Sequence, residues 1–245
     1  MPFRSLLFLT LLVSGAVPAV PAFAGTPLEG LVQPIRQVDV SAPVSSRIVA
    51  LKVAEGEAVQ EGQTLALLYG KLEELEMQRA KALLERREFE AKGARRLYDS
   101  RIIPEAKALE SRIELDLARL QYETAAEQVR LRTVLAPLAG VVVARHREVG
   151  EAVSTAQPLF RILDLSRVVV SCAVEPKALA GLGPGRKARV RLPQMPEAGT
   201  LEGEVALVDP CADGAGLVRV KVVVENPERR IRSGLRALVE LPAAE

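Results

Sequence analysis

One stretch of this chain occurs twice. Residues 42–65 read APVSSRIVALKVAEGEAVQEGQTL and residues 136–159 read APLAGVVVARHREVGEAVSTAQPL, aligned without a gap at an offset of 94. Ala42, Pro43, Val49, Ala50, Gly56, Glu57, Ala58, Val59, Gln63 and Leu65 recur as Ala136, Pro137, Val143, Ala144, Gly150, Glu151, Ala152, Val153, Gln157 and Leu159. Two copies with unrelated sequence between them do not make a solenoid, which needs at least three stacked repeats. They imply two similar halves of one small β unit, parted by an insert. The content of the insert then decides what the chain does.

Each copy reads as short strands punctuated by glycine. The run from Leu28 to Pro43 alternates and is rich in β-branched residues, as strands are. In the first copy, Arg47 to Val53 and Thr64 to Tyr69 are expected strands, with a tight turn at Gly56 and another at Glu61-Gly62-Gln63. The second copy predicts strands over Val141 to Arg147 and Leu159 to Leu163, with the turn at Gly150. Gly56 and Gly150 are read as structural turns, because glycine reaches positive φ without steric cost. Together the copies form a flattened β sandwich.

The texture changes from Lys71 to about Thr133. This stretch holds one Gly and one Pro and is dominated by Ala, Leu, Glu, Arg, Lys and Gln, the strong helix formers. Met77, Ala80, Leu84, Ala91, Ala94 and Tyr98 fall at heptad spacing, interrupted by Arg87, and Ile113, Leu117, Leu120 and Leu131 offer a seam on the second half. The break falls at Ser100-Arg101-Ile102-Ile103-Pro104, with Pro104 fitting the first turn of a new helix. Two helices of about 28 residues, each ~40 Å long, with a 3.5-residue seam, predict an antiparallel coiled-coil hairpin.

From Ser166 the chain is β again. Strands are expected over Arg167–Val174, Lys187–Leu192, Leu201–Val208, Leu217–Val224 and Leu235–Leu241, with turns at Gly183-Pro184-Gly185 and Asn226-Pro227. Short strands at this spacing make a small antiparallel barrel, with Pro176 to Leu182 as a short helix plugging one end. The N-terminus reads as an export signal: Arg4, an apolar run from Ser5 to Val17 too short to span a bilayer, and a small-x-small site at Ala22-Phe23-Ala24. The mature chain would begin at Gly25. No Cys follows that site to take a lipid anchor. Export puts Cys172 and Cys211 in an oxidising space, which allows a disulfide between them; two unpaired buried thiols are the other reading.

Chemistry is sparse. A formal net charge of +2, with acidic and basic residues interleaved, excludes nucleic acid as the main partner. The single histidine, His146, leaves no metalloprotease helix and no Ser-His-Asp arrangement, and it reads as a solvated strand residue. The three methionines give no soft-metal cluster. Gly181-Leu182-Gly183-Pro184-Gly185-Arg186-Lys187 lacks the spacing of a phosphate loop, and Pro184 removes an amide such a cradle would use. No catalytic, metal or cofactor site is expected, and an enzyme is not.

The two half-motifs resemble the halves of a biotinyl/lipoyl domain. In the carrier proteins the halves meet at a hairpin bearing the modified lysine; here the helical insert replaces it, and Lys71 opens a helix without the family's flanking pattern. A lipoyl-like domain split by a helical hairpin, followed by a β barrel in an exported chain, is similar to the HlyD-type membrane fusion proteins, the periplasmic adaptor subunits of tripartite efflux pumps. The resemblance covers about residues 28–241. It rests on the paired half-motifs at Ala42–Leu68 and Ala136–Leu163, on the run from Leu165 to Val190, and on Val218 through Asn226-Pro227 to Ile231-Arg232-Ser233-Gly234-Leu235.

The resemblance implies a mainly β fold: residues 28–70 and 134–165 form the lipoyl-like barrel-sandwich hybrid, 71–133 the hairpin and 166–243 the barrel, after a signal peptide at 1–24. It implies a non-catalytic adaptor in the periplasm, linking an inner-membrane efflux transporter to an outer-membrane channel and assembling as a ring, six copies by analogy. The hairpin tip would meet the channel through Arg96, Leu97, Ser100, Arg101, Ile102, Ile103 and Pro104. The tip departs from the family pattern: the register of the Arg in Arg95-Arg96-Leu97 is off, Pro104 stands where a Ser is usual, and Leu109 is one place late. The membrane-proximal domain of longer relatives is expected to be absent, leaving pump contact to barrel and sandwich. Two rival readings remain: an exported envelope scaffold whose hairpin binds another partner, and a covalent cofactor carrier, which needs a hairpin lysine and a cytoplasmic chain.

Overall fold

The computed structural model describes residues 27–242. The expected signal at 1–24 lies outside them. The chain divides into two compact units: one holds residues 32–169 and 225–234, the other holds 27–31, 170–224 and 235–242. Two long strands, β1 (Leu28–Ser41) and β8 (Pro158–Val174), contribute to both. The first unit keeps the segment after Glu225, which the sequence boundaries assign to the barrel. Asn226 explains this. It is buried, its side-chain amide donates to the carbonyls of Leu165 and Ile231, and its carbonyl accepts from the Ile231 amide.

In that unit the repeat becomes a physical pseudo-symmetry. β2 (Ser46–Leu51) and β3 (Ala58–Val59) of the first copy correspond to β6 (Gly140–Arg145) and β7 (Ala152–Val153) of the second. Each half pairs within itself, β2 with the residues from Ala66 to Leu68 and β6 with β8, and the halves also pair across: β2 pairs β7 and β3 pairs β6, all antiparallel. The turn hydrogen bonds repeat as well. The Gly56 amide donates to Val142 O at 2.8 Å, and the Gly150 amide donates to Ile48 O at 2.9 Å. Both glycines sit at positive φ, 85° and 94°, as a structural turn requires. The core repeats too: Ala42 and Ala136, Ile48 and Val142, Val59 and Val153, and Leu65 and Leu159 are all buried in one cluster around Phe160. Each half supplies what the other lacks.

The insert leaves this body at β4 (Thr64–Leu68) and returns at β5 (Thr133–Leu135), which pair antiparallel with Leu67 opposite Thr133. Gly70 lies between β4 and α1 (Lys71–Asp99); a Cβ there would meet Arg132 Cγ at 2.6 Å, so only glycine lets Arg132 pass to its ion pair with Glu73. α2 (Glu105–Arg130) runs antiparallel to α1: Glu73 meets Arg132 at the base, and Arg87 Nη1 meets Glu114 Oε2 at 2.8 Å midway.

The seam on α1 is as expected from the spacing, with Met77, Ala80, Leu84, Ala91, Ala94 and Tyr98 turned inward and Arg87 within it. The seam on α2 is not. Ile113, Leu117 and Leu120 are more than half exposed. The residues turned inward are Ala108, Ser111, Leu115, Ala118, Tyr122, Ala125 and Val129, an unbroken 3-4 spacing, with Ala118 and Ala125 buried. Alanine supplies six of the fourteen inward positions, and its small side chain lets the two helix backbones approach closely at those levels.

In the second unit, β9 (Lys187–Arg191), β10 (Thr200–Ala212), β11 (Val218–Glu225) and β12 (Arg236–Glu240) join the ends of β1 and β8 in the order β1-β12-β9-β10-β11-β8. A further β1–β8 pairing closes the ring of strands. β11 alternates buried and exposed as a barrel strand should, with Val218, Val220, Val222 and Val224 inside. Gly203 admits the close approach of β11: a Cβ would meet Val222 Cγ1 at 2.6 Å.

Three sequence expectations change. The expected strands Leu159–Leu163 and Arg167–Val174 are parts of one strand, β8, because the Asp164 carboxylate takes the Ser166 amide and hydroxyl and holds the step extended. The expected plug at Pro176–Leu182 is a four-residue 3-10 turn, Pro176–Leu179, with none of its residues buried, so it fills nothing. Cys172 and Cys211 are both free. Cys172 points into the barrel core, where its Sγ lies 3.7 Å from Val220 O, while Cys211 is exposed on β10, so the two side chains occupy different environments and do not meet.

Candidate partner-docking site at the hairpin tip

α1 ends in a helix stop normally built on glycine. Ser100 is the C-cap; the Arg101 amide donates to Tyr98 O at 2.7 Å and the Ile102 amide to Leu97 O at 2.8 Å. This pair of bonds is the Schellman pattern, and it requires the residue after the cap to be left-handed. That residue is Arg101, at φ 61°. A side chain in this conformation costs roughly 1 kcal/mol relative to glycine. Arg101 is exposed at the apex at that cost.

The apex turns its apolar residues in two directions. Ile102 is 67% exposed, Leu97 is exposed and Ile103 is half-buried. Pro104, expected inside the first turn of the second helix, is instead its extended N-cap at ψ 155°, and its carbonyl accepts the Lys107 amide at 3.0 Å. Its ring offers no side-chain cap, which removes the hydrogen bond a Ser would supply.

Charge gathers beside the apex. A groove on one face of the helix pair is lined by Ala91, Lys92, Arg95, Arg96, Tyr98, Glu105, Ala108, Leu109, Arg112 and Leu115. Four of those side chains are cationic and one is anionic. Arg95 is spoken for: it pairs with Asp99 at 3.2 Å and lies over the Tyr98 ring, 5.9 Å from its centroid. Among the described residues, Arg96 donates to the Lys92 carbonyl, at 3.3 Å. Arg96, Leu97, Ser100, Arg101, Ile102 and Pro104 are therefore brought together as one exposed surface, basic on its flank and apolar at its apex, with Ile103 turned partly under it. Lys92 and Arg112 were not foreseen from the sequence; the heptad places both on the flank that faces this groove, and that was the available signal.

Among the described residues there is no group of three or more His, Cys, Asp or Glu side chains placed to hold a metal ion, and no helix is long and apolar enough to cross a membrane. His146 stands on the sandwich, where its amide donates to Leu159 O.

A β sandwich made of two interlocked half-motifs, opened by an antiparallel helix pair and accompanied by a closed β barrel, defines the fold of the membrane fusion adaptors. Residues 36–164, more than half of the chain, match the family described as CzcB-like, barrel-sandwich hybrid domain. The chain belongs to this family, and with it to the HlyD-type membrane fusion proteins. These adaptors serve efflux pumps alongside transporters and outer-membrane channels, and are in general non-catalytic.

Similar proteins include Nodulation protein NolF of Rhizobium meliloti (strain 1021), 29% identical over 234 residues, covering 86% of this chain and 62% of that one. Nickel and cobalt resistance protein CnrB of Cupriavidus metallidurans is 27% identical over 204 residues, covering 77% of this chain and 50% of that one. The chain thus spans between half and two thirds of the length of these relatives. Among solved structures, a MacA-MexA chimera containing the Pseudomonas aeruginosa MexA α-hairpin domain superposes with a TM-score of 0.79 at 22% identity, covering 90% of this chain and 82% of that one. The membrane fusion protein Spr0693 of Streptococcus pneumoniae R6 gives 0.70 at 17% identity, covering 90% and 100%. At these identities the likeness is one of fold.

Proposed function

We propose that this protein is the periplasmic adaptor of a tripartite export assembly, joining an inner-membrane efflux transporter to an outer-membrane channel without itself catalysing a reaction. Export by a signal peptide cleaved after Ala24 brings it to the periplasm. There it works as a homo-oligomeric ring, and the barrel and sandwich supply the surfaces toward the transporter. The observation that carries the reading is the apex of the helix pair. An arginine kept in a left-handed conformation beside an isoleucine that is 67% exposed is a surface made for contact, not for stability. The contact residues are Arg96, Leu97, Ser100, Arg101, Ile102, Ile103 and Pro104, with the basic groove behind them.

The test is photo-crosslinking in cells from a reactive residue at Ile102, followed by mass spectrometry of what is captured. An outer-membrane channel protein is the expected product. Capture only of further copies of the chain, or of an unrelated envelope protein, would overturn channel docking.

A further inference from the structure

The turn between β11 and β12 displays three arginines on a rigid frame. It runs from Asn226 to Gly234 and reads NPERRIRSG. The frame is fixed from within: the buried Asn226 side chain bonds the Leu165 and Ile231 carbonyls and the Ile231 amide, and Ile231 is itself buried. The Asn226 amide donates to Ser166 O at 3.0 Å and the Gly234 amide to Val32 O at 2.8 Å, so both ends are tied to β8 and β1. What is left outside is mostly basic. Arg229, Arg230 and Arg232 are all exposed, against Glu228, which pairs with Arg230, and Glu225 just before the turn. Arg167, also exposed, directly follows Ser166. Arg229 and Arg232 make no ion pair among the described residues. Arg229 also stands at φ 52°, a conformation in which glycine would be unstrained. An arginine there lowers stability with no ion pair to offset it, which marks a residue kept for contact with something outside the chain.

We infer that this turn is a docking surface for anionic phospholipid headgroups, which hold the chain peripherally on a membrane. Guanidinium groups meet phosphate oxygens through paired, charge-assisted hydrogen bonds, and each exposed arginine adds to the attraction of an anionic surface. A protein partner fits less well. Protein interfaces are built round an apolar, often aromatic centre, whereas the one large aliphatic side chain of this turn, Ile231, is 5% exposed. Attachment from outside the bilayer also suits a chain in which no helix among the described residues is long and apolar enough to cross it. The inference goes beyond the proposed function and is independent of what the apex binds.

Vesicle cosedimentation with the chain recovered after export tests it. Vesicles of phosphatidylcholine and phosphatidylglycerol, roughly two to one, should pull the chain down at low salt, and about 0.5 M salt should release it. Vesicles of phosphatidylcholine alone should leave it in solution. Arg229→Gly with Arg230→Gln and Arg232→Gln should weaken binding about tenfold or more. Arg229→Gly alone should weaken binding while raising the melting temperature, so lost binding and lost folding read apart. Arg79→Gln with Arg86→Gln and Arg119→Gln removes the same charge from the helices and should leave binding unchanged. The proposal is overturned if anionic vesicles are not bound, if salt does not release the chain, or if the turn variant binds as well as the parent. It is overturned too if the helix variant loses as much as the turn variant, since net charge alone would then account for binding. Release by about 10 mM inorganic phosphate at constant ionic strength would make the turn a site for free phosphate and would equally overturn it. Capture of a protein in cells by a photo-crosslinker at Ser233, with no vesicle binding, would assign the turn to an acidic protein surface instead. Channel capture from Ile102 reads out separately, so a failed membrane contact and a failed apex are distinguishable.

Discussion

A methyl group on residue 140 would collide with the Leu163 carbonyl oxygen and Ile162 Cγ2, and backbone cannot step aside as a side chain can. Gly150 faces open space, but its φ of 94° is one that L residues rarely adopt. These are different reasons for glycine, and they predict different costs. Gly140→Ala should lose about 3 kcal/mol or more to overpacking, while Gly150→Ala, like Gly56→Ala, should lose only about 1 kcal/mol to backbone strain. Urea titrations of the three variants would show the ordering. Asp164 makes a pH-dependent contribution of its own. Burial pushes its carboxyl up, but hydrogen bonds from the Ser166 hydroxyl and amide and from Arg36 outweigh this and hold it below the usual carboxylate range. A carboxyl lowered on folding stabilises above its unfolded pKa, and that stabilisation fades as pH falls through the lower folded value. Asp164→Asn should therefore cost about 1–2 kcal/mol at pH 7 and progressively less below about pH 4, measured by unfolding at both pH values. Among the thiols, burial pushes Cys172 up to about 11 and closes it to reagents. A maleimide should label Cys211 in the native protein and reach Cys172 only after denaturation. Native labelling at both sites would contradict the buried position.

The helix pair is held by an interface that resists enlargement. Ala118 is buried against α1, while Leu120, two residues on, faces outward. Ala118→Leu should cost about 1–3 kcal/mol, and Leu120→Ser should stay within ~0.5 kcal/mol, both read from thermal melts of the dilute chain. The reverse outcome would return Leu120 to the seam. This is also where the sequence misled. Ile113, Leu117 and Leu120 attract attention because large apolar residues usually mark a core. On α2 the inward positions are three alanines, a serine and Leu115, Tyr122 and Val129, and only the strictness of their 3-4 spacing sets them apart from the outward leucines. On α1 the same rule worked, because Met77, Leu84 and Tyr98 mark the seam that Ala80, Ala91 and Ala94 share. The repeat was legible in full, down to the two glycine turns, since each half carries the same residues at the same offset. The crossed pairing of the halves was not, because a strand's sequence records its burial and not its neighbour. At the apex, Pro104 marked the break, but nothing local announced that Arg101 would take the glycine position of the helix stop. Arg101→Gly should stabilise the chain by roughly 1 kcal/mol while weakening capture at the apex.

At the scale of the whole molecule, the insertion point is what makes the architecture modular. β4 and β5 are antiparallel neighbours with Leu67 opposite Thr133, so the chain leaves and re-enters the sandwich at adjacent positions. The two helices, of 29 and 26 residues, should therefore be removable without altering a strand, as the weak dependence of closure entropy on loop length allows. The sandwich core draws on both halves of the repeat and on no residue of the helices: Ile48, Leu65, Val142, Leu159 and Phe160 are all within it, and the cluster contains nothing between Leu68 and Val134. The crossed pairing carries the same message, since the halves lean on each other directly through Gly56–Val142 and Gly150–Ile48 hydrogen bonds. A chain in which residues 70–132 are replaced by a short Asn-Gly turn should thus fold cooperatively, because a tight two-residue turn suits an antiparallel pair. Circular dichroism should show the helical signal gone and a β signal with a single sharp melt in its place. This variant should export normally and capture nothing from the outer membrane, separating the stability of the body from the reach of its arm. If it emerges unfolded, the helices are part of the sandwich's foundation, and the insert cannot be the independent device that the repeat implies.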